Sequence, residues 1–248
     1  MPLPPGIDDL LTRFGGYIKP TAGATGLYVG GSLASGDYRP GISDMDLAAI
    51  IAHPLSTEQQ DAVQAIHREL IEAEPTAAKL HCVYVPAGYL EDVAREHWTW
   101  AVQEFFERPF SGVARAELLT FGITVFGEHP ASVIPEMTGA DLRQAVRNEL
   151  TGYWTQALDR EHIWLEDGYV DLSLITLARA DAALRGQGLI TKREAIGRLA
   201  RFEVPDQLIA EIRRRRDGEP VQVPPAYRAQ RAELVYRLVA DGIRSLTG

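Results

Sequence analysis

A chain of 248 residues, 46% hydrophobic and 24% charged, is long enough for one large domain or two smaller ones and has the make-up of an ordinary globular protein. Its 34 acidic residues outnumber 25 basic ones, so the net charge of −9 excludes the basic footprint that non-specific nucleic-acid binding needs and suits a cationic partner. No apolar run approaches the ~20 residues that span a bilayer, and Met1-Pro2-Leu3-Pro4-Pro5 lacks the charged and apolar regions of a signal peptide, so a cytoplasmic protein with neither nucleic-acid nor membrane partners is expected.

Apolar positions Ile7, Leu10, Leu11, Phe14 and Ile18 recur at helical spacing. A strand over 26–30 follows, then a turn, Gly30-Gly31-Ser32-Leu33-Ala34-Ser35-Gly36-Asp37, and a buried strand over 46–52. Ser56–Ala73 reads as an amphipathic helix with Ser56 as a possible cap, and Leu80–Val85 as a strand holding the single cysteine, Cys82, which can form no internal disulfide and reads as inert core. A short helical excursion is expected over Pro86–Arg95. Next come an aromatic-rich segment with Trp98, Trp100, Phe105 and Phe106, and a helix-to-strand step over Leu118–Phe126. Pro130, Pro135 and Gly139 mark a boundary. Beyond it strand-like alternation disappears, and 141–159, 169–186, 191–202, 205–215 and 225–246 all read as helices. The arginine run at 213–216 reads as a solvated helix end favoured by the dipole. The expected fold class is α+β. A domain over 1–135 has a mixed sheet with flanking helices, an all-helical bundle occupies 136–248, and a small-molecule cleft is expected where the two domains meet.

The chemistry concentrates at the first turn. Asp44 stands twelve positions after Ser32, and Asp46 two further on. Alternate side chains of a strand share a face, so Asp44 and Asp46 point the same way and repel unless a cation lies between them. Hard carboxylate oxygens suit Mg²⁺, which takes one or two carboxylates together with phosphate oxygens and waters. Glycine permits close approach, so the amides of Gly31 and Ser32 can meet phosphate oxygens, and a short helix from Leu33 to Ser35 would present its positive end to them. Either motif alone is weak. In the order strand, Gly-Ser, turn, Asp-x-Asp, strand, they point to a nucleoside triphosphate held with its metal.

This arrangement resembles the nucleotidyltransferase superfamily that shares its core with DNA polymerase β. The whole chain is more specifically similar to the adenylyltransferases that modify streptomycin and spectinomycin, known from antibiotic resistance. Three blocks carry the likeness: Gly31-Ser32 through Asp46, Phe121-Gly122-Ile123-Thr124-Val125-Phe126-Gly127, and Leu174-Ile175-Thr176-Leu177-Ala178-Arg179 with Gly188-Leu189-Ile190-Thr191-Lys192. The resemblance implies a nucleotidyltransferase domain joined to a helical domain, with ATP as co-substrate and Mg²⁺ as cofactor. It implies transfer of AMP to a hydroxyl of a cationic small molecule such as an aminoglycoside, and pyrophosphate release; a monomer is expected. It places Asp44 and Asp46 as metal ligands and catalytic residues, Gly31 and Ser32 on the β- and γ-phosphates, and Arg179 and Lys192 on the triphosphate from the helical domain. Arg offers phosphate a fork and Lys a point charge.

One position departs from the family. Where it carries a glutamate as general base, this strand reads Lys79-Leu80-His81-Cys82-Val83-Tyr84-Val85, with His81 in the matching place. A neutral histidine is itself a base near neutral pH; Glu104 or Glu107 could swing in instead; or the base is absent. The last case leaves an alternative, a nucleotide-binding protein of the same fold with weak or lost catalysis. Glu166, Asp167 and Asp171 could meet amino groups of a cationic acceptor, with Trp164 and the 98–106 aromatics stacking on its rings. Matching is poor at 160–171, so the acceptor's identity does not transfer.

Overall fold

The computed structural model describes residues 3–248; Met1 and Pro2, the start of the proline-rich N-terminal stretch, lie outside the described residues. Periodicity dictates the first layer. Helix α1 (Ile7–Thr21) turns Leu10, Leu11, Phe14 and Ile18 inward. It leads into β1 (Ala24–Val29), a four-residue helix α2 (Gly31–Ala34), β2 (Met45–Ile51) and α3 (Thr57–Ala73). Ser56 caps α3 as its side chain accepts from the Gln59 amide while the Gln59 side chain returns to the Ser56 amide. Strand β3 (Leu80–Pro86) is followed by a 3₁₀ turn over Ala87–Tyr89, which is the whole of the helical excursion expected there. The aromatic-rich segment is a hairpin of β4 (Glu96–Ala101) and β5 (Glu104–Pro109), and α4 (Gly112–Phe121), β6 (Ile123–Phe126) and α5 (Pro130–Val133) complete the first unit.

The six strands form one mixed sheet in the order β5-β4-β3-β2-β1-β6. Among the described residues only β2 and β3 pair in parallel, joined by the α3 crossover; the other pairs are antiparallel. Odd-numbered residues of β2 (Met45, Leu47, Ala49, Ile51) and even-numbered ones of β3 (Leu80, Cys82, Tyr84) face a core shared with α1 and α3. Ala48, Ile50, Val83 and Val85 face the opposite way, against Leu118 of α4 and Ile134. That second cover stops short of the beginnings of β2 and β3, where Asp46 and His81 stand side by side in register.

The chain divides into two compact units, Met1–Met137 and Thr138–Gly248. The second is built of helices α6 (Gly139–Glu149), α7 (Thr155–Ala157), α8 (Asp167–Leu184), α9 (Lys192–Ile196), α10 (Asp206–Arg216) and α11 (Pro225–Thr247). A π-helical turn over Leu150–Trp154 joins α6 to α7, and 3₁₀ turns lie at Glu161–Leu165 and Leu199–Phe202. Helix α8 is buried nearly all round, as the central helix of a bundle must be. It meets α11 at Gly242, where a Cβ would lie 2.8 Å from Leu177 Cδ1. Among the described residues no helix is long and apolar enough to cross a membrane.

Candidate active site

Three chain segments converge at the open ends of β1, β2 and β3. The Gly30 amide donates to the Asp46 carbonyl at 2.8 Å, which pins the Gly-Ser turn to the start of β2. Gly31 then takes φ +56°, and a Cβ there would meet Asp46 Oδ2 at 2.1 Å. Only a residue without a side chain fits, because backbone conformation and space exclude the others together. Ser32 is buried beside it. The intervening loop is closed by a reciprocal pair: Arg39 N–H donates to Ser43 Oγ at 3.0 Å and Ser43 N–H to the Arg39 carbonyl at 2.8 Å.

Asp44 precedes β2 and Asp46 is its second residue; the buried Met45 between them points into the core, so both aspartates lie on the other face. Lys79 Nζ lies 3.3 Å from Asp44 Oδ1, and His81 Nε2 lies 3.9 Å from the same oxygen. Sequence reasoning missed Lys79, although the signal was available: it ends the 3₁₀ turn Pro75–Lys79 just before β3, two positions before His81. Only 13% of the His81 side chain is exposed. Burial pushes its pKa below the ordinary value, opposed by Asp44 and Asp46 and reinforced by Arg108 and Lys79. A neutral ring fits its hydrogen bond, since Nε2 accepts the Val102 amide at 3.2 Å.

Register sorts the two glutamates considered as substitutes for the base. Glu104 pairs with Ala101 at the hairpin tip, on the His81 face. Glu107 pairs with Trp98, and Trp98 packs against the opposite core, so Glu107 points away from the aspartates. Among the described residues no three His, Cys, Asp or Glu side chains are grouped to hold a metal. The donor set is the two aspartates beside the Gly31 cradle. That fits a hard divalent cation whose remaining ligands are phosphate oxygens and water, and it does not fit an all-protein cage.

In the helical unit the structure brings Arg179 and Lys192 into one neighbourhood. Arg179 Nε donates to the Ile190 carbonyl at 3.0 Å, and Lys192 opens α9 two residues later, behind the Thr191–Glu194 capping box. Two of the three acidic residues of this unit singled out in the sequence have arginine partners here. Asp171 receives two bonds from Arg215, at 2.9 and 2.6 Å, and Asp167 receives one from Arg231 at 2.5 Å. Arg231 is fully buried and also lies 3.6 Å from Glu211. Both aspartates therefore bind guanidinium groups of their own unit. Glu166 remains exposed just before α8. Trp164 is buried and edge-on to Tyr236 at 6.1 Å, and so is part of the bundle core.

Residues 12–109 match the family model of the nucleotidyltransferase domain. This stretch of the first unit is similar to a nucleotidyltransferase domain. The matched segment runs from α1 through β5 and so contains Gly31, Ser32, Asp44, Asp46 and His81, which makes nucleotidyl transfer the enzyme class of the chain. The whole fold is similar to the crystal structure of spectinomycin adenyltransferase AAD(9) from Enterococcus faecialis with ATP and spectinomycin. The TM-score is 0.73, covering 94% of this chain and 98% of that one at 13% sequence identity. No curated protein sequence matches the chain significantly. The chain shares with that structure the fold of a mixed six-stranded sheet followed by a helical region.

Proposed function

We propose that this nucleotidyltransferase moves AMP from ATP to a hydroxyl of a cationic small molecule of the aminoglycoside kind and releases pyrophosphate. The observation that carries the reading is the contact of Gly31 with Asp46 on a face that also holds Asp44 and His81, because it sets a side-chain-free backbone turn beside two carboxylates. The fold shared with an adenyltransferase solved with ATP and spectinomycin supports the nucleotide and the acceptor class. The net charge of −9 favours a cationic acceptor.

The amides of Gly31 and Ser32 would grip the β- and γ-phosphates. Asp44 and Asp46 would hold Mg²⁺, which when bound neutralises phosphate charge and acidifies a nearby hydroxyl. Lys79, already at the aspartate pair, adds positive charge where the transferring phosphate must sit. His81 Nε2 would take the acceptor's proton as its oxygen bonds to the α-phosphorus. The α–β bridging bond breaks, and its electron pair leaves with pyrophosphate. Arg179 and Lys192 would contact the triphosphate from the helical unit, and Glu166 the acceptor's amines. In this reading the protein works as a cytoplasmic monomer.

The test is pyrophosphate release from Mg-ATP across a panel of aminoglycosides and aminocyclitols. Turnover with at least one of them is expected, and none with any member would defeat the proposal. A second reading, nucleotide binding without transfer, is favoured by the engagement of His81 Nε2 with a backbone amide and by the carboxylate missing from β3. Calorimetry that finds ATP binding together with a silent panel would select it.

A further inference from the structure

The hairpin joining β4 and β5 turns on two residues, Val102 and Gln103, with φ of +49° and +63°. Two-residue hairpin loops of this hand are the province of Asn-Gly and Asp-Gly, because both positions need the left-handed region. A β-branched valine there is strained. Packing does not compensate, since Val102 is 67% exposed. What this tip does contribute is its amide. The Val102 N–H points into the site and donates to His81 Nε2 at 3.2 Å, on the edge of the ring that faces Asp44.

We infer that Val102 is a positioning residue, whose amide holds His81 with its proton on Nδ1 and its lone pair on Nε2, and which gives up its place at Nε2 to the hydroxyl of the acceptor. The inference rests on the transfer reading above for its second half. In the resting site the amide marks where a donor must sit to reach the lone pair. An acceptor O–H arriving at that point replaces N–H by O–H at the same nitrogen. The hydroxyl proton then passes to Nε2, the oxygen bonds to the α-phosphorus, and pyrophosphate departs with the bridging electron pair. Strain at Val102 and Gln103 favours this exchange, because withdrawing the tip relaxes two unfavourable backbone conformations as it breaks one hydrogen bond. An unstrained turn would hold the cap more firmly.

Two variants separate the roles. Replacing the residue-102 amide by an ester, through incorporation of the α-hydroxy analogue of valine, removes only the donor. Val102→Asn with Gln103→Gly keeps the donor and relaxes the turn. Nitrogen-15 spectra of histidine-labelled protein, with His81 assigned from His81→Gln, read the tautomer without any ligand. The parent and the double variant are expected to carry the proton on Nδ1, and the ester to lose that preference. With Mg-ATP and spectinomycin, the ester is expected to lower kcat about tenfold at unchanged KM for ATP. The double variant is expected to raise the spectinomycin KM about fivefold and to melt at higher temperature. A proton on Nε2 in the parent, a spectrum indifferent to the ester, or a spectinomycin KM unmoved in the double variant would overturn the inference. A parent that turns over no acceptor defeats the transfer reading alone, and the tautomer spectra still decide whether Val102 positions His81.

Discussion

Two groups of aspartates in this protein meet cations in opposite ways. In the helical unit Asp171 and Arg215 share a two-pronged contact in which 20% and 13% of their side chains are exposed, and Asp167 closes on a fully buried Arg231. At the start of β2, Asp44 is 41% exposed and faces one half-exposed Lys79 at 3.3 Å. Guanidinium groups saturate the first pair, which leaves it a structural job: tying α8 to α10 and α11. In the second group Asp44 stays accessible to solvent, and Asp46 lies beside a glycine that tolerates no side chain. Carboxylates of one chemistry thus become a staple or, in the proposed reading, a ligand according to what the fold packs against them.

The largest effect that would sharpen this contrast is expected from Gly31→Ala. Its methyl would overlap Asp46 Oδ2 in a backbone conformation that alanine resists, so ATP turnover should fall by about a hundredfold or more. The loss in stability should stay near ~1–3 kcal/mol, the range for one strained backbone site. Turnover by pyrophosphate release and stability by urea melts give the two numbers.

Next comes a direct exchange of roles. Asp171→Ala strands a mostly buried Arg215 and should cost about 2–3 kcal/mol, somewhat under the ~3–5 kcal/mol typical of breaking a fully buried pair. Asp44→Ala should leave stability within about 0.5 kcal/mol of the parent, since its ion pair with Lys79 is exposed. Equal losses in the two urea titrations would erase the distinction.

A third test concerns pH. His67 on α3 is buried, stacked on Trp100 at 4.7 Å and hydrogen-bonded through Nε2 to Tyr84 Oη at 2.9 Å. Burial lowers its pKa from 6.5 to about 3, with a smaller electrostatic contribution from His81 once that ring is protonated. Its folded pKa lies below the unfolded one, so the unfolded chain takes up the proton first. Stability is full above pH 6.5 and falls as pH drops toward 3. Between about pH 6.5 and 5 the loss from this residue should be about 2 kcal/mol, and His67→Gln should flatten that part of the profile. The helical unit holds no counterpart of this buried, neutral imidazole among its described buried polar residues.

Much of the site was legible because it is local. The apolar run of β2 fixes which way Asp44 and Asp46 point, and the Gly-Ser turn lies within one strand-loop-strand step of them. The neighbour relation of Asp46 and His81 follows once β2 and β3 pair in parallel. Other features were hidden for physical reasons. Asp171 finds Arg215 44 positions away and Asp167 finds Arg231 64 away, and no local pattern announces such pairings. The turn at Val102 carries none of the residues that favour its backbone, so nothing in the sequence signals a hairpin tip aimed at His81. The π-helical turn at Leu150–Trp154 likewise reads as plain helix until packing is seen.

The most direct measurement is turnover of Asp46→Asn, a change that keeps shape and removes one charge from the pair. With Mg-ATP and an acceptor used by the parent, pyrophosphate release is expected to drop about a thousandfold or more, with an unchanged thermal midpoint. An Asp46→Asn variant that turns over within a few-fold of the parent would show that these aspartates do not hold the metal and nucleotide, and would contradict the assignment of the site.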